Sequence, residues 1–197
     1  FKTSLEIFGE RKPPPARAAF FVLTKAMYTF YMEWLTLLIL IVHNIGLTFG
    51  VGASTFALTF YINALADGEI DASERRFMHI VYVVLRIGMT LISLALLGFA
   101  ALWTYQGNFL ATATPVYFME STFLGIIVIN AVLMTMRIMP MRFGPVLAGG
   151  SWYSSFLITV LPVAAFSYLM LWPFYIGFLF LFFIVFSFIK ARYSPAR

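Results

Sequence analysis

The chain has no cysteine, which excludes disulfides, thiolate metal sites and cysteine nucleophiles. Charge is also scarce: 11% of the 197 residues are Asp, Glu, Lys or Arg, against 62% hydrophobic. A water-soluble globule of this size cannot coat itself with so few polar side chains, so lipid must be the solvent for much of it. Histidine is limited to His43 and His79. No glycine-rich nucleotide loop, no pair of metal ligands at helical spacing and no polar domain able to house a triad is present, so enzyme chemistry finds no foothold. The alternating pattern of barrel strands is missing too, and the long unbroken apolar runs that stand in its place imply an all-α integral membrane helical bundle. The formal charge of +5 sits at the chain ends and in two loops. That placement reads as an orientation signal and excludes nucleic acid as the partner.

Four regions follow. Residues 1–17 form a polar, proline-rich tail containing Pro13-Pro14-Pro15, a stiff segment suited to a partner's surface. Residues 18–34 form a helix with Lys25, Thr29 and Glu33 on one side; its central lysine suits a helix lying in the interface, or a sixth span if it crosses. Residues 35–190 form the bundle and residues 191–197 a basic tail. Within the bundle the runs predict five spans: 35–62, 75–105, 115–139, 151–172 and 173–189. Pro115 suits a first turn, Pro140 and Pro145 breaks, Pro162 a kink, and Pro173 a reversal between the last two spans. Gly46, Gly50, Ala53 and Ala57 line one face of the first span, where small side chains let a neighbouring backbone approach.

The polar exceptions concentrate in the hairpin from His43 to Arg86. Its tip, residues 63–74, resembles the twelve-residue calcium loop of EF-hand proteins. The resemblance implies cation ligands at Asn63, Asp67, Glu69, Asp71 and Glu74, with Gly68 at the sharp turn. The alternative is a plain hairpin tip in which Asp71 and Glu74 form a capping box for the second span. Arg86 lies about 15 Å into that span, where a charge needs a partner or water. Glu120 on the third span is the partner this reading gives it, and Asn130 and His79 complete a candidate ion or proton path. The competing reading is one buried ion pair that fixes helix register. His43, in a glycine-rich stretch of the first span, is a candidate haem or metal ligand.

The run Val-His-Asn-Ile-Gly-Leu-Thr-Phe-Gly-Val-Gly at residues 42–52, followed by a span carrying Asn130 and ending in Pro140, resembles bacterial four- or five-span proteins related to the copper-resistance D type. The resemblance covers residues 35–140 and implies metal or haem handling at the position of His43. Three functional expectations result. The first is a non-enzymatic subunit of a larger, energy-transducing membrane complex, packed against lipid and other membrane chains, with haem b, a lipid or a pigment as its cofactor. The second is haem or metal handling through His43, and the third is a small ion transporter or channel with Arg86 in its path. Arg75, Arg76, Arg137, Arg142, Lys190, Arg192 and Arg197 fall on one side of a five-span layout, which predicts a bacterial inner-membrane protein with its C-terminus in the cytoplasm. Cysteines introduced at Gly68 and Gly107 test the orientation: an impermeant thiol reagent applied outside should label the second and spare the first, and the reverse pattern inverts the topology.

Overall fold

In hydrocarbon a backbone has to satisfy its own hydrogen bonds, and long apolar runs do so by coiling. The computed structural model describes residues 15–67, 71–107, 109–139, 143–161 and 166–193. Among them the elements are α1 (Pro15–Asp67), α2 (Ala72–Tyr105), α3 (Phe109–Thr112), α4 (Pro115–Thr135), α5 (Gly144–Val160) and α6 (Tyr168–Tyr193), all helical. Among the described residues four stretches are long and apolar enough to cross a membrane: Phe20–Asn63, Ala72–Tyr105, Pro115–Thr135 and Tyr168–Ile189. At 17 residues, α5 is the shortest of the long helices.

Several boundaries differ from the sequence expectation. No break separates residues 34 and 35, since neither Trp34 nor Leu35 interrupts a helix, and α1 runs through both. Pro145 lies in the first turn of α5, where its missing N–H costs nothing, so it starts that helix instead of breaking it. Pro173 lies inside α6, and the reversal into α6 falls between Val160 and Tyr168. The third span ends at Thr135, four residues early, because the chain turns there through a Schellman motif: Arg137 N–H donates to Met134 O (3.1 Å) and Ile138 N–H to Leu133 O (3.0 Å). That motif puts Arg137 in the left-handed region at φ 57°. The twelve-residue loop is not a loop over its first half, since residues 63–67 continue α1. Its end forms the capping box instead: Glu74 N–H donates to Asp71 Oδ1 (2.6 Å) and Asp71 N–H to Glu74 Oε2 (3.2 Å). Glu69, Pro162, the kink expected at Pro162 and the proline-rich tail up to residue 14 lie outside the described residues.

The chain divides into two units, Phe1–Leu38 and Ile39–Arg197. In the described part of the first, residues 20–38 leave every side chain but Met32 exposed, so Phe20, Phe21, Phe30 and Trp34 find no cover. The second unit is a helical bundle built around two apolar clusters. One joins Met119 and Phe123 of α4 to Ile158 of α5 and Leu171 and Tyr175 of α6. The other joins Leu47 of α1, Ile92 and Leu96 of α2, Ile127 of α4 and Trp152 of α5.

Small residues make that second cluster reachable. A Cβ added at Gly88 of α2 would lie 2.9 Å from the Gly46 carbonyl and 3.0 Å from the Gly50 nitrogen, so α1 and α2 cross backbone to backbone. Gly50 also receives the Trp152 indole, which is 1% exposed. Ala53 is buried and Ala57 half-buried on the same helix. In lipid, where hydrophobicity does not drive helices together, close packing of this kind has to do so. Gly88→Ala should therefore lower stability in mild detergent by about 1–3 kcal/mol, the usual cost of overpacking. Gly177→Ala in α6, where an added Cβ meets nothing within 4 Å, should leave it unchanged or raised. Equal melting shifts for the two variants would refute the backbone crossing.

Candidate functional site

A carboxylate held within the membrane needs donors. Glu120, on α4, is 8% exposed and finds them on two other helices. His43 of α1, 4% exposed, places Nε2 3.0 Å from Glu120 Oε2. Thr159 of α5 places Oγ1 2.6 Å from Glu120 Oε1. Among the described residues His43–Glu120 is the one contact between an acidic and a basic side chain. Glu120 lies about 8 Å into α4 from Pro115. At that end Trp103, Phe109 and Tyr117 pack together, with the Trp103 and Tyr117 rings edge to face at 5.0 Å, as aromatic residues do at the membrane surface.

The hydrogen-bond inventory decides where the proton sits. His43 Nδ1 is buried without a partner. An imidazolium, or the tautomer protonated on Nδ1, would bury an unanswered N–H there. The neutral ring with its proton on Nε2 leaves only a bare lone pair, the lesser penalty. Nε2–H thus donates to a Glu120 carboxylate. Thr159 has one hydroxyl proton and two acceptors in reach, Glu120 Oε1 and the Ser155 carbonyl at 2.8 Å. It donates to the carboxylate when Glu120 is ionised. When Oε1 carries a proton, the hydroxyl can turn to Ser155 and accept from the acid instead. Both oxygens of Glu120 therefore keep a partner in either state of the acid.

The other candidates lie apart from this cluster. Arg86 and His79 are both exposed on α2. The inward face of α2 is set by Gly88, Ile92, Ala95 and Leu96. At about 100° per residue, Arg86 is about 200° and His79 about 180° round from Gly88, so both point away from α1. The expected pairing of Arg86 with Glu120 is replaced by His43–Glu120, and the path through Glu120, Arg86, Asn130 and His79 is not assembled. Arg86 stands two residues from the Gly88 crossing, at the level of the Trp152 cluster. A charge near a helix centre costs roughly 2.5–3.5 kcal/mol on insertion scales. Asn130 sits about 15 Å along α4 from Glu120. It is 1% exposed and donates from Nδ2 to the Gly144 carbonyl (2.9 Å), clamping α4 to the first residue of α5. A Cβ added at Gly144 would lie 2.7 Å from Met134 Sδ, so a larger residue there would make the methionine side chain shift.

Sequence reasoning did not single out Thr159, nor the other bonds that link helices. Ser151 and Tyr175 pair their hydroxyls at 2.8 Å between α5 and α6, and Thr55 and Tyr153 at 2.6 Å between α1 and α5. A hydroxyl can be satisfied by its own helix, so its residue type alone does not signal a partner.

The residues present do not fit the haem or metal that the family resemblance implies for His43. Nε2 is held by Glu120, and the nitrogen left over, Nδ1, is closed off from any approaching iron by packed protein. No group of three or more His, Asp or Glu gathers among the described residues. Asp71 and Glu74 are occupied by their capping box. Protein-family models, curated proteins and solved structures, each searched with this chain, return no match.

If the pair couples as drawn, breaking it one partner at a time should cost far more than breaking it whole. His43→Leu or Glu120→Met alone should each lower stability in detergent by about 1–3 kcal/mol, the range for a buried hydrogen-bonding group left without its partner. The double variant should cost less than the sum by more than 1 kcal/mol. Additive losses would show that the two side chains act independently.

Proposed function

We propose that the protein is a small proton-handling membrane protein in which Glu120 takes up and releases a proton inside the bundle, in the service of ion or solute movement rather than bond-making chemistry. The observation that carries this reading is the Thr159 hydroxyl, 2.6 Å from Glu120 Oε1 and 2.8 Å from the Ser155 carbonyl. A purely structural carboxylate needs only donors. This one faces a group that serves its ionised and its protonated forms alike, without moving a helix. His43 holds the other oxygen in both forms, donating from Nε2. Ionisable residues inside a membrane bundle commonly mark ion or proton routes, which adds to the reading. It narrows the transporter expectation to different residues: Glu120, Thr159 and His43 in place of Arg86.

The basic ends support an orientation for this unit. Arg75 and Arg76 open α2, Arg137 follows α4 and Arg192 closes α6. Helices linked as these are, with Tyr117 at the start of α4 bonded to Leu96 near the end of α2, run antiparallel and bring those ends to one side. We place that side, with the C-terminus, in the cytoplasm of a bacterial inner membrane.

Reconstitution tests the proposal. In liposomes holding a pH-sensitive dye and given an imposed proton gradient, the intact protein should speed proton entry. Glu120→Gln should abolish that flux, Thr159→Val should reduce it about tenfold or more, as loss of one proton-transfer partner does, and Thr159→Ser should restore it. Unchanged flux in Glu120→Gln, or none in the intact protein, rejects the reading.

A further inference from the structure

The proton site lies near one end of the bundle: Glu120 is about 8 Å into α4, and Thr159 is the last residue but one of α5. A proton released toward the basic ends has most of the bundle still to cross. Along α5, Thr159, Ser155 and Ser151 follow at intervals of four residues. At about 100° per residue they fall within about 80° of one another, on the side where Thr159 meets α4. Ser155 and Ser151 are buried. Ser151 donates to the Leu147 carbonyl (2.7 Å), which leaves Tyr175 of α6 as the donor in their 2.8 Å contact.

Hydroxyls on a helix usually bond their own backbone, and a row of them alone says little. Ser154 departs from that habit. It is fully buried and its Oγ has no partner, so the side chain is turned away from the Gly150 carbonyl four residues back. Its neighbours on the helix surface all meet α6: Ser151 at Tyr175, Gly150 at Leu179 and Ile158 at Leu171. Ser154 therefore faces α6 between those contacts, three residues from the Ser151–Tyr175 pair in the direction of Thr159. An O–H that can both give and take a hydrogen bond is kept there with neither capacity used.

We infer that the proton handled at Glu120 travels along α5, from Thr159 past Ser155 and Ser154 to the Ser151–Tyr175 pair, with single waters between successive hydroxyls. The inference rests on the proton reading of Glu120. Residues four apart on a helix are separated by about 6 Å of rise, a span that one water bridges at roughly 2.8 Å from each neighbour. At each oxygen the arriving proton makes a new O–H bond while the old O–H breaks and its proton moves on. One proton thus leaves Glu120, which becomes ionised, and one leaves the Tyr175 hydroxyl to water, with no charge left on the side chains between. The hydroxyls end reversed and turn back before the next transfer. Toward the basic ends, Asn130 Oδ1 is a further buried oxygen without a partner.

The proton-flux liposomes test the route. Tyr175→Phe and Ser155→Ala should each slow proton entry about tenfold or more, as loss of a proton-transfer partner does, and Ser155→Thr should restore it. Ser155→Ala keeps the backbone carbonyl that Thr159 uses, so the switch at Glu120 stays intact. Tyr153→Phe is the matched control. It removes the other interhelical hydroxyl pair of α5, with Thr55 of α1, about 160° round from Ser155, and should leave the flux unchanged. Flux that Glu120→Gln abolishes but that neither Ser155→Ala nor Tyr175→Phe alters overturns the route and leaves the proton site standing. Equal losses in Tyr153→Phe and Tyr175→Phe overturn it as well, because the loss is then one of packing. If the intact protein carries no flux, the proton reading falls and the route falls with it.

Discussion

The cost of holding a carboxylate inside a membrane bundle governs how this chain is put together. Glu120 has two oxygens to satisfy, and neither donor comes from its own helix: one belongs to α1, the other to α5. Three helices far apart in sequence are thereby set in depth and rotation relative to one another. Sliding α4 by one turn would carry the carboxyl about 5.4 Å from both donors. The apolar clusters on either side of this contact have no such selectivity, since one leucine in lipid serves much like another. Packing supplies adhesion and Glu120 supplies register.

The same contact explains why the polar residues of the chain were harder to place than its spans. Hydropathy reports how much of a segment lipid tolerates, and the runs that became α1, α2, α4 and α6 were legible from it. Which residues face one another is a matter of phase. Arg86 and Glu120 have opposite charges, and although Glu120 lies nearer the outer end of its run, two long side chains let a reading of the sequence pair them. The glycine at position 88 turns the other side of α2 inward, so that Arg86 faces out while His43, on the helix that Gly88 admits, reaches the carboxylate. Gly46 and Gly50 were visible as a packing face. What the linear pattern did not contain was that the helix meeting that face would also be turned by it.

Prolines misled for a related reason. Each removes one N–H, and a sequence does not say whether that donor was needed. At Pro145 it falls in the first turn, where helices have free donors anyway. At the end of α4 the reversal is made without glycine, by Arg137 in a left-handed conformation that favours glycine and that no composition rule would assign to arginine. The acidic tip illustrates the opposite case. Its weaker signal, an Asp three residues before a Glu, described the structure, whereas the more suggestive twelve-residue pattern did not, since α1 continues through its first five positions.

Pro173 carries a consequence of another kind. It cannot answer the carbonyl of Leu169, four residues back, and Leu169 is 76% exposed. That oxygen loses its donor four residues on, and a carbonyl left unanswered in hydrocarbon costs several kcal/mol, so a helix start among the headgroups, within reach of water, suits it. The Tyr168 and Trp172 rings beside it meet edge to face at 6.2 Å, the amphipathic kind of side chain that settles at the headgroups. The first turn of α6 is thus a waterline inscribed in the helix by a hydrogen that is not there, and from it the rest of α6 hangs through roughly one membrane thickness of phenylalanine and leucine.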